Sequence, residues 1–181
     1  MADENEIFYV SYNTVHKLVQ GLAQKILDSG FDPDVIVAIG SGGFIPARII
    51  KTFINRPIYA VGISYYGVDH KHRNHPTKIQ WIDEVQEQLK GKKVLLIDEV
   101  DDTRATLAYC VGELLSYQPE EIAVLVLHNK LKKKDVDFPP EIKRYYPAME
   151  IKDVWIRYPW DAQDIEEHTI KEAEMLAKRS K

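Results

Sequence analysis

The chain has one cysteine among its 181 residues, so no intramolecular disulfide can form and packing alone must hold the fold. No apolar run approaches the roughly 20 residues of a membrane-spanning helix, and no membrane role is expected. Positive charge is not in excess: 24 Lys and Arg stand against 28 Asp and Glu, for a net charge of −4. That balance argues against nucleic acid as the main partner. The N-terminal run Met1-Ala2-Asp3-Glu4-Asn5-Glu6 is acidic and lacks the basic-then-apolar order of a signal peptide. Repeats, linkers and low-complexity blocks are also missing. The expectation is one domain over residues 1–181, in a cytoplasmic enzyme. What is present supports a packed core, since 45% of residues are hydrophobic and 29% charged, ordinary for a globular protein.

Hydrophobic periodicity divides the chain into alternating elements. Val15, Leu18, Val19, Leu22 and Ile26 recur at helical spacing and predict a helix over 14–29, capped by Asn13 or Thr14 and closed by Gly30. Short β-rich runs predict strands at 35–39, 58–63, 94–97 and 122–127. Helices are expected at 44–54, 103–117 and 162–179. Cys110 shares a helical face with Leu107, Val111 and Leu114, which reads as core rather than nucleophile. Strands alternating with helices imply an α/β fold with a mainly parallel central sheet flanked by helices. Ligands in such sheets lie beyond the carboxyl ends of the strands.

Those ends carry unusual residues. Val94-Leu95-Leu96-Ile97 runs into Asp98, Glu99, Asp101 and Asp102, four carboxylates in five positions. Carboxylates so crowded repel one another and call for a cation or a hydroxyl-rich ligand. Thr103-Arg104-Ala105-Thr106 then leads into a helix and offers hydroxyls and N–H groups to an anion. Acids beside anion donors suggest a phosphorylated sugar. Gly40-Ser41-Gly42-Gly43 also joins a strand to a helix, where successive N–H groups could hold a diphosphate. It is neither a P-loop nor a full dinucleotide fingerprint. Residues 64–80 are long, polar and poor in apolar anchors, as lid loops are. His70, His72 and His75 lie there without a cysteine or an acid cluster, and no metal site is expected from them. Lys130 follows the fourth strand, and Lys132-Lys133-Lys134 reads as a solvated loop. Two tryptophans stand in Val154-Trp155-Ile156-Arg157-Tyr158-Pro159-Trp160-Asp161.

The thirteen residues Val94–Thr106 resemble the phosphoribosyl pyrophosphate (PRPP) motif of the type I phosphoribosyltransferases. Trp155–Asp161 resembles a segment of that family's purine branch, in the bacterial xanthine/guanine enzymes. The run as a whole, from about residue 7 to 170, resembles the yeast-type hypoxanthine-guanine enzymes. The resemblance implies a small hood made by the chain ends, with base-binding residues at about 130–165. It implies that Asp98 and Glu99 hold the ribose hydroxyls and Mg²⁺, and that Asp102, Thr103, Arg104, Ala105 and Thr106 cradle the 5-phosphate. Ser41, Gly42 and Gly43 would take pyrophosphate on a loop where one peptide is often cis, aided in one reading by Arg48. Ser64 and Tyr65 would open the lid. Lys130 would donate to the purine 6-oxygen, Trp155 would stack on the base, and the Ile156 backbone would read its edge. Asp161 would meet the 2-position side of the base or the metal, and Asp102 would accept the proton from N7. Two positions depart from the motif: Asp101, usually apolar, and Arg104, usually small. The implied reaction joins a 6-oxopurine, hypoxanthine or guanine, to PRPP, giving IMP or GMP and pyrophosphate. A xanthine preference and a non-catalytic PRPP-binding regulator are the alternatives. Family habit also implies a homodimer or homotetramer.

Overall fold

The computed structural model describes residues 6–66 and 72–179, with the backbone alone at 65–66 and 72–75. A six-stranded sheet forms its centre, in the order β4-β3-β2-β5-β6-β7. The strands are β2 (Val35–Gly40), β3 (Ile58–Tyr66), β4 (His72–Gln80), β5 (Lys93–Asp101), β6 (Glu121–Lys130) and β7 (Arg144–Ile151). All pair in parallel except β3 with β4. Side chains alternate across the sheet as the strand period requires. Ile36, Ala38, Leu95, Ile97, Ala123 and Leu125 join one core with helices α1 (Tyr12–Asp28) and α2 (Phe44–Phe53). Val37, Ile39, Val94, Leu96, Val124 and Val126 join the other with α4 (Ala105–Leu115). Such runs are apolar on every residue because both faces are covered.

The chain ends make a separate two-stranded sheet, β1 (Ile7–Tyr9) beside β8 (Trp155–Arg157). Helix α5 (Ile165–Arg179) ties it to the rest. The Glu172 carboxylate accepts the Ser11 N–H at 2.8 Å, and His168 Nε2 lies 2.9 Å from the Val10 carbonyl. This is the hood, as far as β1, β8 and α5 compose it.

Several expectations need correction. Ser11, not Asn13 or Thr14, caps α1, its Oγ accepting from the Thr14 N–H at 3.2 Å. The expected lid loop at 64–80 is strand over 64–66 and 72–80, forming a hairpin on the sheet edge. Its polar composition suits an edge strand with one solvated face. His70 and the rest of 67–71 lie outside the described residues, as do the side chains of Tyr65, His72 and His75. Strands β1, β7 and β8 and the short helix α3 (Val85–Leu89) were not expected from the sequence. β7 reads Arg-Tyr-Tyr-Pro-Ala-Met-Glu-Ile, with a proline that demotes a strand reading. It is an edge strand, where proline costs little.

Candidate active site

Strand order changes direction between β2 and β5: the chain leaves β2 for β3 on one side and returns to β5 on the other. A crevice opens at the carboxyl ends of two such strands. Here it has a volume of about 290 Å³. Gly40, Ser41 and Gly42 line one wall, and Asp98, Glu99 and Asp102 through Thr106 line the other. The parallel register makes this inevitable once the strands form, because Ala38 lies beside Ile97, and Asp101 beside Asn129. Gly43 and Arg48 do not line the crevice; Arg48 is exposed on α2.

Asp98, Glu99 and Asp101 belong to β5, which runs through Asp101, and Asp102 opens the turn after it. Asp98 is buried and its Oδ1 accepts the Glu99 N–H at 2.9 Å. Burial, and next the charge of Glu99, push its carboxyl well above the usual carboxylate range. Glu99 Oε2 is buried and, among the described residues, has no hydrogen-bond partner. Its carboxylate occupies the space a side chain at Gly42 would need: a Cβ there would fall 2.0 Å from the Glu99 carboxyl carbon. At Gly43 a Cβ would fall 2.6 Å from the carbonyl oxygens of both Ile39 and Ile97, so only glycine lets the loop pack so closely on β5. The peptide between Gly40 and Ser41 is cis.

The two departures from the motif explain each other. Asp101 is wholly buried, and its Oδ2 accepts from Arg104 Nε at 3.0 Å, Arg104 Nη2 at 2.8 Å and the Tyr145 hydroxyl at 2.9 Å. The Arg104 guanidinium also lies 4.4 Å from the centre of the Phe138 ring. Arg104 has a left-handed backbone (φ 70°) at the turn into α4, where glycine is the easier residue. Its charge is thus committed to Asp101 rather than free for a phosphate.

Asp102 is paired with two lysines. Its Oδ2 takes Lys130 Nζ at 2.9 Å and its Oδ1 takes Lys132 Nζ at 2.8 Å. Burial would raise its carboxyl, but hydrogen bonds from Lys132 and Lys130 outweigh that and hold it below the usual range. The lysine run after Lys130 is therefore not simply a solvated loop. Lys134 donates to the carbonyls of Asp101, Asp102 and Lys130 at 2.7–2.9 Å, while Lys133 is exposed. The available signal was the two-residue spacing of Lys130, Lys132 and Lys134, which sends alternate side chains to one side of an extended chain.

The hood residues are distributed differently. Trp155 is 65% exposed, so it is not core, and Ile156 behind it is buried. Asp161 faces a second hollow with Tyr9, Arg157 and Lys171 and does not line the acid crevice. The structure does not bring it to Asp98 and Glu99. Tyr158, missed in the sequence, makes the link instead. Its hydroxyl donates to the Glu99 carbonyl at 3.0 Å and lies 2.8 Å from His128 Nδ1. The single phenolic proton is thereby used, so His128 donates from Nδ1. Burial holds its imidazole down to about 4.

A divalent cation fits the acid pair. Two adjacent carboxylates, one with an oxygen lacking a donor and the other pushed toward protonation by burial, are what a hard cation relieves. The described residues hold no group of three or more His, Cys, Asp or Glu placed to bind a metal ion.

The model of the phosphoribosyl transferase domain matches residues 11–147. The chain belongs to the phosphoribosyltransferase family. Xanthine phosphoribosyltransferase 1 of Saccharomyces cerevisiae is 44% identical to this family member, over 97% of each chain. Hypoxanthine-guanine phosphoribosyltransferase of Schizosaccharomyces pombe is 42% identical over 92% of this phosphoribosyltransferase and 95% of its own length. Among solved structures, a hypothetical protein from Neisseria gonorrhoeae with bound ppGpp superposes with a TM-score of 0.87, at 42% identity over 93% of this chain and 97% of its own. The purine phosphoribosyltransferase of Pyrococcus horikoshii has a TM-score of 0.69, at 25% identity over 87% and 96%.

Proposed function

We propose that this phosphoribosyltransferase acts in purine salvage, moving ribose 5-phosphate from PRPP to N9 of hypoxanthine or guanine. All 181 residues serve as one such domain in this reading. The observation that carries it is the single crevice in which a glycine turn, an acid pair and a Thr-bounded helix entry meet. Relatives named for hypoxanthine-guanine and for xanthine transfer support the purine class. PRPP offers groups to both walls. The backbone at Ser41 and Gly42 takes its pyrophosphate, Asp98 and Glu99 its ribose hydroxyls, and the 103–106 turn its 5-phosphate. Lys130 donates to the base 6-oxygen, and because an ammonium has no acceptor it disfavours an amino group at that position. Trp155 stacks on the base. Asp98 and Glu99 would hold Mg²⁺, which would supply charge neutralisation for the pyrophosphate. As the bond from ribose C1 to pyrophosphate breaks and the bond to N9 forms, Asp102 accepts the proton released from N7. Positive charge developing on the ribose faces the carboxylates of β5. The segment at about 64–80 serves as the lid that keeps water from that centre.

A second reading, xanthine preference, is favoured by the 44% identity to a xanthine enzyme. Cytoplasmic location and self-association belong to the same proposal; the lone buried thiol of Cys110 suits a reducing compartment. Among the described residues no helix is long and apolar enough to cross a membrane. A steady-state assay with PRPP, Mg²⁺ and each of hypoxanthine, guanine, xanthine and adenine tests the proposal. Pyrophosphate release with hypoxanthine and guanine, abolished by EDTA, is expected. Release with xanthine above both supports the second reading. No release with any base overturns catalysis and leaves a PRPP-binding regulator.

A further inference from the structure

Two members of the cluster at Asp102 have no task in the transfer as described. Lys132 Nζ, besides its bond to Asp102, lies 3.2 Å from the Asp153 carboxylate, and Lys130 Nζ lies 3.7 Å from Asp153. Two ammonium groups and two carboxylates therefore alternate in one closed set, drawn from β6, its continuation, the turn after β5 and the turn before β8. We propose that Lys132 and Asp153 are positioning residues for the transfer, holding the Asp102 carboxylate toward the base while Lys130 leaves it for the base 6-oxygen. The inference rests on the base-transfer reading above.

The geometry gives the reason. Lys130 has three N–H donors, one of them on Asp102 at 2.9 Å, and a move of its Nζ toward the base lengthens that bond. Its departure would leave the Asp102 carboxylate, 42% exposed at the side chain, without its Oδ2 partner. Lys132 binds the other oxygen, Oδ1, so the carboxylate keeps one fixed donor and presents its freed oxygen. Asp153 in turn anchors Lys132, whose long flexible stem would otherwise lose that geometry to rotamer entropy. The nearby cations cannot substitute. Arg104 is bound to Asp101, and Lys134 to three backbone carbonyls and to Asp101. The exchange also conserves pairing, because each carboxylate retains an ammonium after Lys130 moves.

The test uses the full chain with PRPP, Mg²⁺ and the 6-oxopurine it turns over best. In Lys132→Met, kcat should fall about tenfold to a hundredfold, the scale of a misplaced catalytic group. KM for PRPP should change by less than about twofold, and KM for the base should rise, because Lys130 then has both carboxylates to itself. Asp153→Asn should shift both values in the same direction by less. Lys132→Arg, which keeps the charge, should recover most of the rate. Both substituted side chains are partly exposed, and an unchanged Tm shows that the variants fold. Wild-type kcat in both Lys132→Met and Asp153→Asn overturns the inference, as does a loss shared equally by PRPP binding. A wild-type chain that transfers no base overturns the transfer reading and this inference with it; an active wild type with silent variants overturns this inference alone.

Discussion

At the residue scale, the motif acids divide by their partners. Asp98 accepts the Glu99 N–H through one oxygen, Glu99 Oε2 has no partner among the described residues, Asp101 is bound to Arg104 and Tyr145, and Asp102 is held by lysines. Asp102→Asn keeps the shape but loses the proton acceptor, so kcat should fall about 10²–10⁴-fold with the KM for PRPP little changed. Steady-state kinetics check this; a rise in that KM with kcat intact would sink the assignment. Asp101→Ala strands the Arg104 guanidinium, 15% exposed, beside an empty polar hole. Breaking a buried pair on one side costs about 3–5 kcal/mol, and urea denaturation should read it as a lower midpoint. The identities of these acids were legible in the sequence. Their pairing was not, because Tyr145 and Lys134 reach Asp101 from 44 and 33 positions away.

At the element scale, strands buried on both faces were the legible ones. Val94–Ile97 and Ile122–Leu127 are continuous apolar runs, and nothing but a covered strand accommodates them. Helix α1 was equally plain, because Val15, Val19, Leu22 and Ile26 form one buried stripe. Strands β1 and β8 have three residues each, too few for a period, and exist because they pair with each other. Helix α5 holds that pair through two side chains. Glu172→Ala should leave the buried Ser11 N–H without an acceptor and cost about 1–3 kcal/mol. Hydrogen exchange should then show faster exchange in β1 and the first turn of α1 than in β5, whereas uniform change would argue that α5 does not anchor the hood locally.

At the scale of the whole molecule, His128 joins β6, the hood and the acid pair through Tyr158, and it is buried neutral. Its native value of about 4 lies below the ordinary 6.5, so the unfolded chain binds a proton the native chain refuses between those values. Stability from this source is complete above about pH 6.5 and declines as pH falls toward 4, by about 3 kcal/mol over the window. Urea midpoints measured across that range should fall less steeply in His128→Gln than in the wild type; equal slopes would count against a neutral buried His128. The sequence by itself determined the α/β order, the acids at the end of β5, the glycine turn and the family resemblance, because each is written in neighbouring residues. Only the tertiary structure decided which charges are free and which are committed. It joined Arg104 to Asp101, joined Lys132 and Asp153 to Asp102, and set Asp161 apart from the acid pair. An electrostatic partnership depends on distances of a few ångströms between distant parts of the chain, and those are set by sheet order and register, which no local pattern records.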